Sequence, residues 1–250
     1  MAKFLRGMKM RNWKEEEKSR VEFLRKVLKN ANSDGFIFGN SGGKDCALVG
    51  ILCKKACDNT VGIIMPCESK QNYTTDKSDA LELGKKFDIK MRTVDLTQTK
   101  KALVSDLEKE TKLNNPALTN INPRLRMTTL YAIGAAENRL VVGTGNKCER
   151  YMGYFTKWGD GAFDVNPIAD LCVEEIYDFL RYFGAPSHII EKAPSAGLFE
   201  GQTDEKEMGV TYSSIDKFLR GEEIPEKDRQ IIEKYHKRSE HKRNGFLVYK

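Results

Sequence analysis

Several things are missing from this 250-residue chain, and each absence narrows the field. No apolar run approaches the roughly 20 residues that cross a bilayer, which argues against a membrane span. The start, "MAKFLRGMKMRNWKEEEKSR", has basic residues but no uninterrupted apolar segment and no small-residue cleavage site, so a signal peptide is not indicated and the cytoplasm is the default. None of the six cysteines forms a C-x-x-C pair, which removes the usual zinc and dithiol redox motifs and fits a reduced compartment. Cys53 and Cys57, four apart in a helical pattern, read as small core residues. Internal repeats, low-complexity tracts and a recognisable interdomain linker are also lacking, so one domain spanning 1–250 is expected. A net charge of +6 is modest for a nucleic-acid binder but suits an anionic small molecule. Much of the basic excess lies in 227–245, which reads as a solvated helix face followed by a mobile tail.

What is present is an alternation of short β-rich runs with helix-length segments. Strands are expected at 36–38, 60–65, 89–96 and 139–145, each too short and too β-branched to prefer helix. Helical patterns fall at 13–31, 44–57, 73–87, 99–112 and 122–138, then at 173–184, 211–220 and 225–240. Parallel neighbours need such crossovers, whereas antiparallel ones need only a tight turn, so the fold class is α/β with a parallel twisted sheet. Residues 191–209 have no periodicity and several Gly, Pro and acidic residues, which predicts a long mobile loop.

"FIFGNSGGKDCALVG", residues 36–50, places a glycine-rich turn between a strand and a helix. Ligands of parallel α/β sheets bind beyond the carboxyl ends of the strands, and the free amides of a helix N-terminus favour an anion there. A Walker A loop is excluded by spacing, because Gly39 to Gly43 is one residue short and Asp45 stands where a hydroxyl is needed. A dinucleotide fingerprint also fails here, and "GTGNKC" at 143–148 has Cys148 in place of the third glycine. What remains, S-G-G-x-D, resembles the pyrophosphate-binding loop of the ATP pyrophosphatases (the PP-loop, adenine-nucleotide α-hydrolase-like fold), with Cys46 where those enzymes usually carry serine. A carboxylate at Asp45 would repel a polyphosphate unless a divalent cation lay between them, which points to Mg²⁺. The other reading of the loop is a plain glycine-rich turn with Asp45 as a helix N-terminal charge, and the loop alone leaves both open. A thiol in a first helical turn can be nucleophilic, but no histidine lies near Cys46 in sequence to activate it.

The second half is more specific. "VVGTGNKCE", "GYFTKWGDG", "KAPSAGLFEGQTDEKEMG" and "EHKR" resemble, in order and spacing, the ammonia-dependent NAD synthetases, and with the loop at 39–46 the resemblance covers roughly residues 20 to 245. It implies adenylation of the nicotinate carboxylate of deamido-NAD by ATP, attack by ammonia, and release of NAD, AMP and pyrophosphate. It also implies that Asp45 and Glu149 share Mg²⁺. ATP would be bound by Gly39, Asn40, Ser41, Gly42, Gly43, Lys44, Asp45, Cys46, Thr144 and Ser195, with the loop around Ser195 closing over the adenylate. Arg124, Lys157, Asp164, His241 and Lys242 would contact deamido-NAD, between the two subunits of a homodimer. Read without the resemblance, Glu149, Arg124, Lys157 and Asp164 are ordinary surface charges, Thr144 is a capping hydroxyl, and Tyr154, Phe155 and Trp158 are as good core residues as ring platforms.

The chain departs from the family at Val173, where a lysine commonly contacts ATP and for which Lys44 is the available substitute, at "IIMPCESKQ", which lacks an arginine some members have, and at Cys46. No segment is left for a glutamine amidase, so free ammonia is the expected donor. The remaining alternatives are another ATP pyrophosphatase, such as a tRNA-modifying thiolase, and a nucleotide-binding regulator without turnover.

Overall fold

The computed structural model describes residues 11–68, 74–192, 203–245 and 248–249. Four strands form one sheet: β1 (Gly35–Gly39), β2 (Thr60–Ile64), β3 (Lys90–Thr93) and β4 (Arg139–Val142). All pairings are parallel and the spatial order is β3-β2-β1-β4, with Ile37 of β1 facing Val61 on one side and Val141 on the other. The order turns round between β1 and β4, and at such a switch point the connections leave toward opposite faces and open a crevice at the carboxyl ends of the strands.

Alternation along β1 sorts the core into two layers. Phe36 and Phe38 pack with α1 (Trp13–Asn30), α2 (Lys44–Ala56) and α7 (Val173–Tyr182), through Leu24, Leu48, Ile51, Leu52 and Phe179. Ile37 faces the other way, with Val61, Ile63 and Val141, against Leu130 of α5 (Asn115–Ala136). Helix α2 is buried from Cys46 to Cys53, which is why its sequence is apolar nearly all round rather than striped. The crossovers α3 (Thr75–Lys86) and α4 (Thr97–Leu107) flank β3.

A third apolar cluster lies beneath the C-terminal helices. It joins α6 (Lys147–Met152) and the start of α7 to α9 (Asp204–Met208), α10 (Tyr212–Arg220) and α11 (Glu226–Arg238); α8 (Ser187–Glu191) lies between α7 and α9 in the chain, and α12 (Glu240–Arg243) follows α11. Among the described residues no helix is long and apolar enough to cross a membrane.

The structure shifts several predicted boundaries. Helix α5 begins at Asn115 rather than 122: the Asn114 side chain accepts from Ala117 N at 2.9 Å, Pro116 follows, and Pro123 is an interior residue packed beside Gly159. Strand β3 is confined to Lys90–Thr93 and β4 stops at Val142, so 143–145 form the turn into α6. The loop expected over 191–209 holds the short helix α9, whose Asp204 and Met208 are buried; five residues are too few for a periodic signal. The basic tail, expected to be mobile, is docked through Lys242 and Arg243, whose side chains donate to the carbonyls of Gly153, Phe155 and His236.

Candidate active site

A cavity of about 900 Å³ opens at the β1/β4 switch point. Its floor is the turn after β1. Asn40 N donates to Ile63 O at 2.8 Å and Asn40 Oδ1 accepts from Gly42 N at 2.9 Å, which curls the chain into a cup. Gly42 has φ +73°, and a Cβ there would lie 2.4 Å from Asp76 O, so only glycine fits. Gly43 is the N-cap of α2 and brings no side chain to its first-turn amides, the kind of helix start that favours an anion, and Ser41 and Gly43 both line the cavity.

The turn after β4 supplies the opposing wall. Asn146, fully buried, caps α6 by accepting from Glu149 N at 3.0 Å, while Asn146 N donates to Glu149 Oε2 at 2.9 Å. Asn146 Nδ2 reaches across to Asp45 Oδ1 at 3.2 Å. One residue, through its side chain to Asp45 and its backbone N–H to Glu149, thus ties together the two strand ends and the two predicted carboxylates. Burial first, and then the neighbouring Asp45 carboxylate, raise the Glu149 carboxyl well above its ordinary value, against the opposing pull of Lys44 and the Asn146 amide. Two half-buried acids brought together by one asparagine are a donor set suited to a hard divalent cation, and the residues present fit Mg²⁺. Lys44 donates to Asp45 Oδ2 at 2.7 Å; burial opposes its charge, but Asp45 and Glu149 more than offset this and hold the ammonium above its ordinary range.

Residues 16–245 match the family NAD synthase. The chain belongs to this family. It is 46% identical to an NH(3)-dependent NAD(+) synthetase of Carboxydothermus hydrogenoformans over 93% of this chain and 96% of that one. Among solved structures it is similar to an NMN synthetase from Francisella tularensis, with a TM-score of 0.91, 40% identity, and coverage of 96% of this chain and 99% of that one. It is also similar to the NH3-dependent NAD synthetase of Campylobacter jejuni, with a TM-score of 0.79, 26% identity, and coverage of 96% and 100%.

The predicted family residues do not all meet in one place. Gly39, Asn40, Ser41, Gly43, Lys44, Asp45, Cys46, Thr144 and Glu149 line the cavity together, and Lys157, His241 and Lys242 line its far end. The charges at that far end are engaged: Lys157 Nζ donates to His241 O at 2.6 Å, and Lys242 Nζ to Gly153 O at 2.8 Å and Phe155 O at 2.6 Å. Arg124 is exposed on α5 and donates to Lys157 O at 3.3 Å, outside the cavity wall. Asp164 lies beside β4, accepting from Val141 N at 2.8 Å and Tyr131 Oη at 3.1 Å. Ser195 lies outside the described residues.

The family's departures have physical settings too. Val173 is buried in the cluster beneath the C-terminal helices and its N–H donates to Asp216, so its side chain belongs to the core. The Lys44 ammonium lies over the ring of Tyr177, one turn along α7 from Val173. Cys46 Sγ contacts Ser41 Oγ at 3.3 Å, and burial pushes the thiol up, the reverse of a nucleophile.

Sequence reasoning passed over Asn146, although N-x-x-E before a helix is a capping-box signature. It also passed over Arg126, two residues beyond Arg124, whose guanidinium donates to Met65 O at 3.2 Å on the cavity wall. Lys192, which pairs with Asp76 at 2.7 Å and Asp79 at 2.6 Å and also lines the cavity, had no local signal, because its partners are over a hundred residues away.

Proposed function

We propose that this chain converts deamido-NAD to NAD by ATP-dependent amidation with ammonia, through an acyl-adenylate, releasing AMP and pyrophosphate. The observation that carries the reading is the junction of the two strand ends: the glycine cup and the Asp45–Asn146–Glu149 constellation face one cavity at the switch point. A nicotinate carboxylate is a poor acyl donor, and transfer of AMP to its oxygen supplies a leaving group that ammonia can displace.

In this reading the cup from Gly39 to Cys46 receives the polyphosphate, with Thr144 and Ser195 as further ATP contacts. Asp45 and Glu149 hold Mg²⁺, which when bound neutralises the polyphosphate and eases departure of pyrophosphate. Asn146 keeps both carboxylates in register. Lys157, His241 and Lys242 at the far end of the cavity, together with Arg124 and Asp164 just outside it, face the deamido-NAD of a homodimer whose second subunit completes the site. Free ammonia is the donor, in keeping with the names of the relatives, and six unpaired thiols suit a cytoplasmic setting.

A second reading has its own support. The likeness to an NMN synthetase at 40% identity favours the mononucleotide, whose nicotinate carboxylate needs the same activation. Incubating the protein with Mg-ATP, ammonium and either nicotinate mononucleotide or deamido-NAD, and comparing kcat/KM from the products, separates the two. NAD, AMP and pyrophosphate in equal amounts support the first reading; preferential formation of NMN replaces it with the second. Binding of ATP without amide product, or AMP release only with tRNA, overturns both.

A further inference from the structure

Lys44 is 5% exposed, which a long cationic side chain reaches only where other groups replace its water. Here the replacement is unusual. The ammonium donates to Asp45 Oδ2 at 2.7 Å, and two aromatic faces close the other side, with the Tyr212 and Tyr177 ring centroids 5.5 Å and 6.0 Å away. Adjacent residues on a helix do not face one another, so the Lys44–Asp45 contact is not a by-product of α2 but requires the lysine to bend back into the crevice. Glu149 belongs to the same charge cluster, because Asn146 binds both acids at once.

We propose that Lys44 is a built-in counter-cation for Asp45 and Glu149: its ammonium and a divalent metal compete for the same two carboxylates, and metal entry turns the lysine toward the phosphate cup. The inference rests on the metal reading above. It follows from elementary electrostatics, since an ammonium and a divalent cation repel each other and only one of them fits hydrogen-bonded against Asp45. The released lysine needs an anion, and the cup beside it is where a polyphosphate would supply one. Metal alone therefore binds at the expense of the lysine's partner, whereas metal with nucleotide does not, so the residue couples the two ligands. Cation–π contact with the two tyrosine rings holds the ammonium beside Asp45 loosely enough to be exchanged.

The test is a Mn²⁺ titration of the full chain without nucleotide, read from the electron paramagnetic resonance of free Mn²⁺. It compares wild type with Lys44→Met, Lys44→Gln and Asp45→Asn. The expected result is tighter binding by about tenfold in both Lys44 variants, a usual size for coupled ligands, and loss of binding in Asp45→Asn. Unchanged or weaker binding in both Lys44 variants, with binding still lost in Asp45→Asn, overturns the counter-cation and leaves the metal reading standing. Wild-type binding in Asp45→Asn overturns both. Wild-type protein carrying ¹⁵N at lysine Nζ gives an independent readout: an ammonium resonance protected from exchange in metal-free protein shifts or disappears on addition of Mg²⁺, and a spectrum that does not change refutes the idea even if the variants fail to fold.

Discussion

The two ends of the cavity are built on different principles. At the switch point the functional groups are fixed by backbone: a glycine cup closed by Asn40, a helix start, and a capping box that grips Asp45 and Glu149 through one residue. At the far end Lys157 and Lys242 are long side chains, and both are spent on carbonyls of their own chain. The first arrangement is held by short contacts between neighbouring strand ends and tolerates little change. The second is held in part by groups that a substrate would have to replace, so binding there has to compete with the fold.

The largest effect is expected where the carboxylates meet. Asp45→Asn and Glu149→Gln should each lower kcat by at least about 10³-fold, a range typical of lost electrostatic stabilisation at a reacting centre. Kinetics with deamido-NAD under saturating Mg-ATP check this, and near-normal turnover in either variant removes the metal assignment. Gly42→Ala comes next. The new methyl would lie 2.4 Å from Asp76 O at φ +73°, which costs about 1–3 kcal/mol of backbone strain and should distort the cup. A lower melting temperature together with weaker ATP binding is expected, and a variant that binds ATP normally would show the cup to be more pliable than its geometry indicates.

Lys242→Met sharpens the contrast from the other side. Losing a cation that serves Gly153 O and Phe155 O should cost about 1–3 kcal/mol, because a buried acceptor then lacks its donor. If the far end binds the dinucleotide, KM for it should rise while the affinity for ATP stays put. A fall in stability with unchanged KM would make Lys242 a structural strut only.

How much of this was legible in the sequence differs between the same two regions. The α/β class, the strands and the cup followed from local signals, since strand–glycine–helix order and β-branched runs are properties of neighbouring residues. The tail was misread as mobile because its anchors, Gly153 and Phe155, lie nearly ninety residues upstream and are backbone carbonyls, which leave no trace in composition. Helix α9 was missed for want of length, although its Asp204 receives hydrogen bonds from Tyr212 and Tyr154 in the third cluster. Arg124 and Asp164 rest on the resemblance alone; the structure leaves the first exposed and ties the second to β4, and neither lines the cavity.

Smaller effects probe the frame that carries both ends. Glu137 follows α5 and accepts from Arg92 of β3 and Arg139 of β4, and these two partners, Arg92 first, depress its carboxyl from 4.5 to about 2. A depressed acid stabilises the fold above its ordinary value, and that contribution disappears as pH falls from about 4.5 through 2. Wild type should therefore exceed Glu137→Gln in stability at neutral pH, with the gap in denaturation midpoints closing across that window. A gap that persists at the acid end would mean the glutamine disturbs the sheet by a route other than charge.

The smallest change is expected at the residue whose chemistry looks most reactive. Cys46 opens α2 beside Ser41, a position where a helix dipole can favour a thiolate, yet burial raises the thiol and the Asp45 carboxylate adds to the rise. A neutral thiol 3.3 Å from the Ser41 hydroxyl does what a serine hydroxyl would do, which is to share a hydrogen bond at the rim of the cup. Cys46→Ser should keep kcat and KM within about twofold, as an exchange of similar size and polarity at an unreactive position, and iodoacetamide should label the native protein slowly at this site. Rapid labelling with loss of activity, or an inactive serine variant, would place a nucleophile at the start of α2 and move the chemistry away from the two acids.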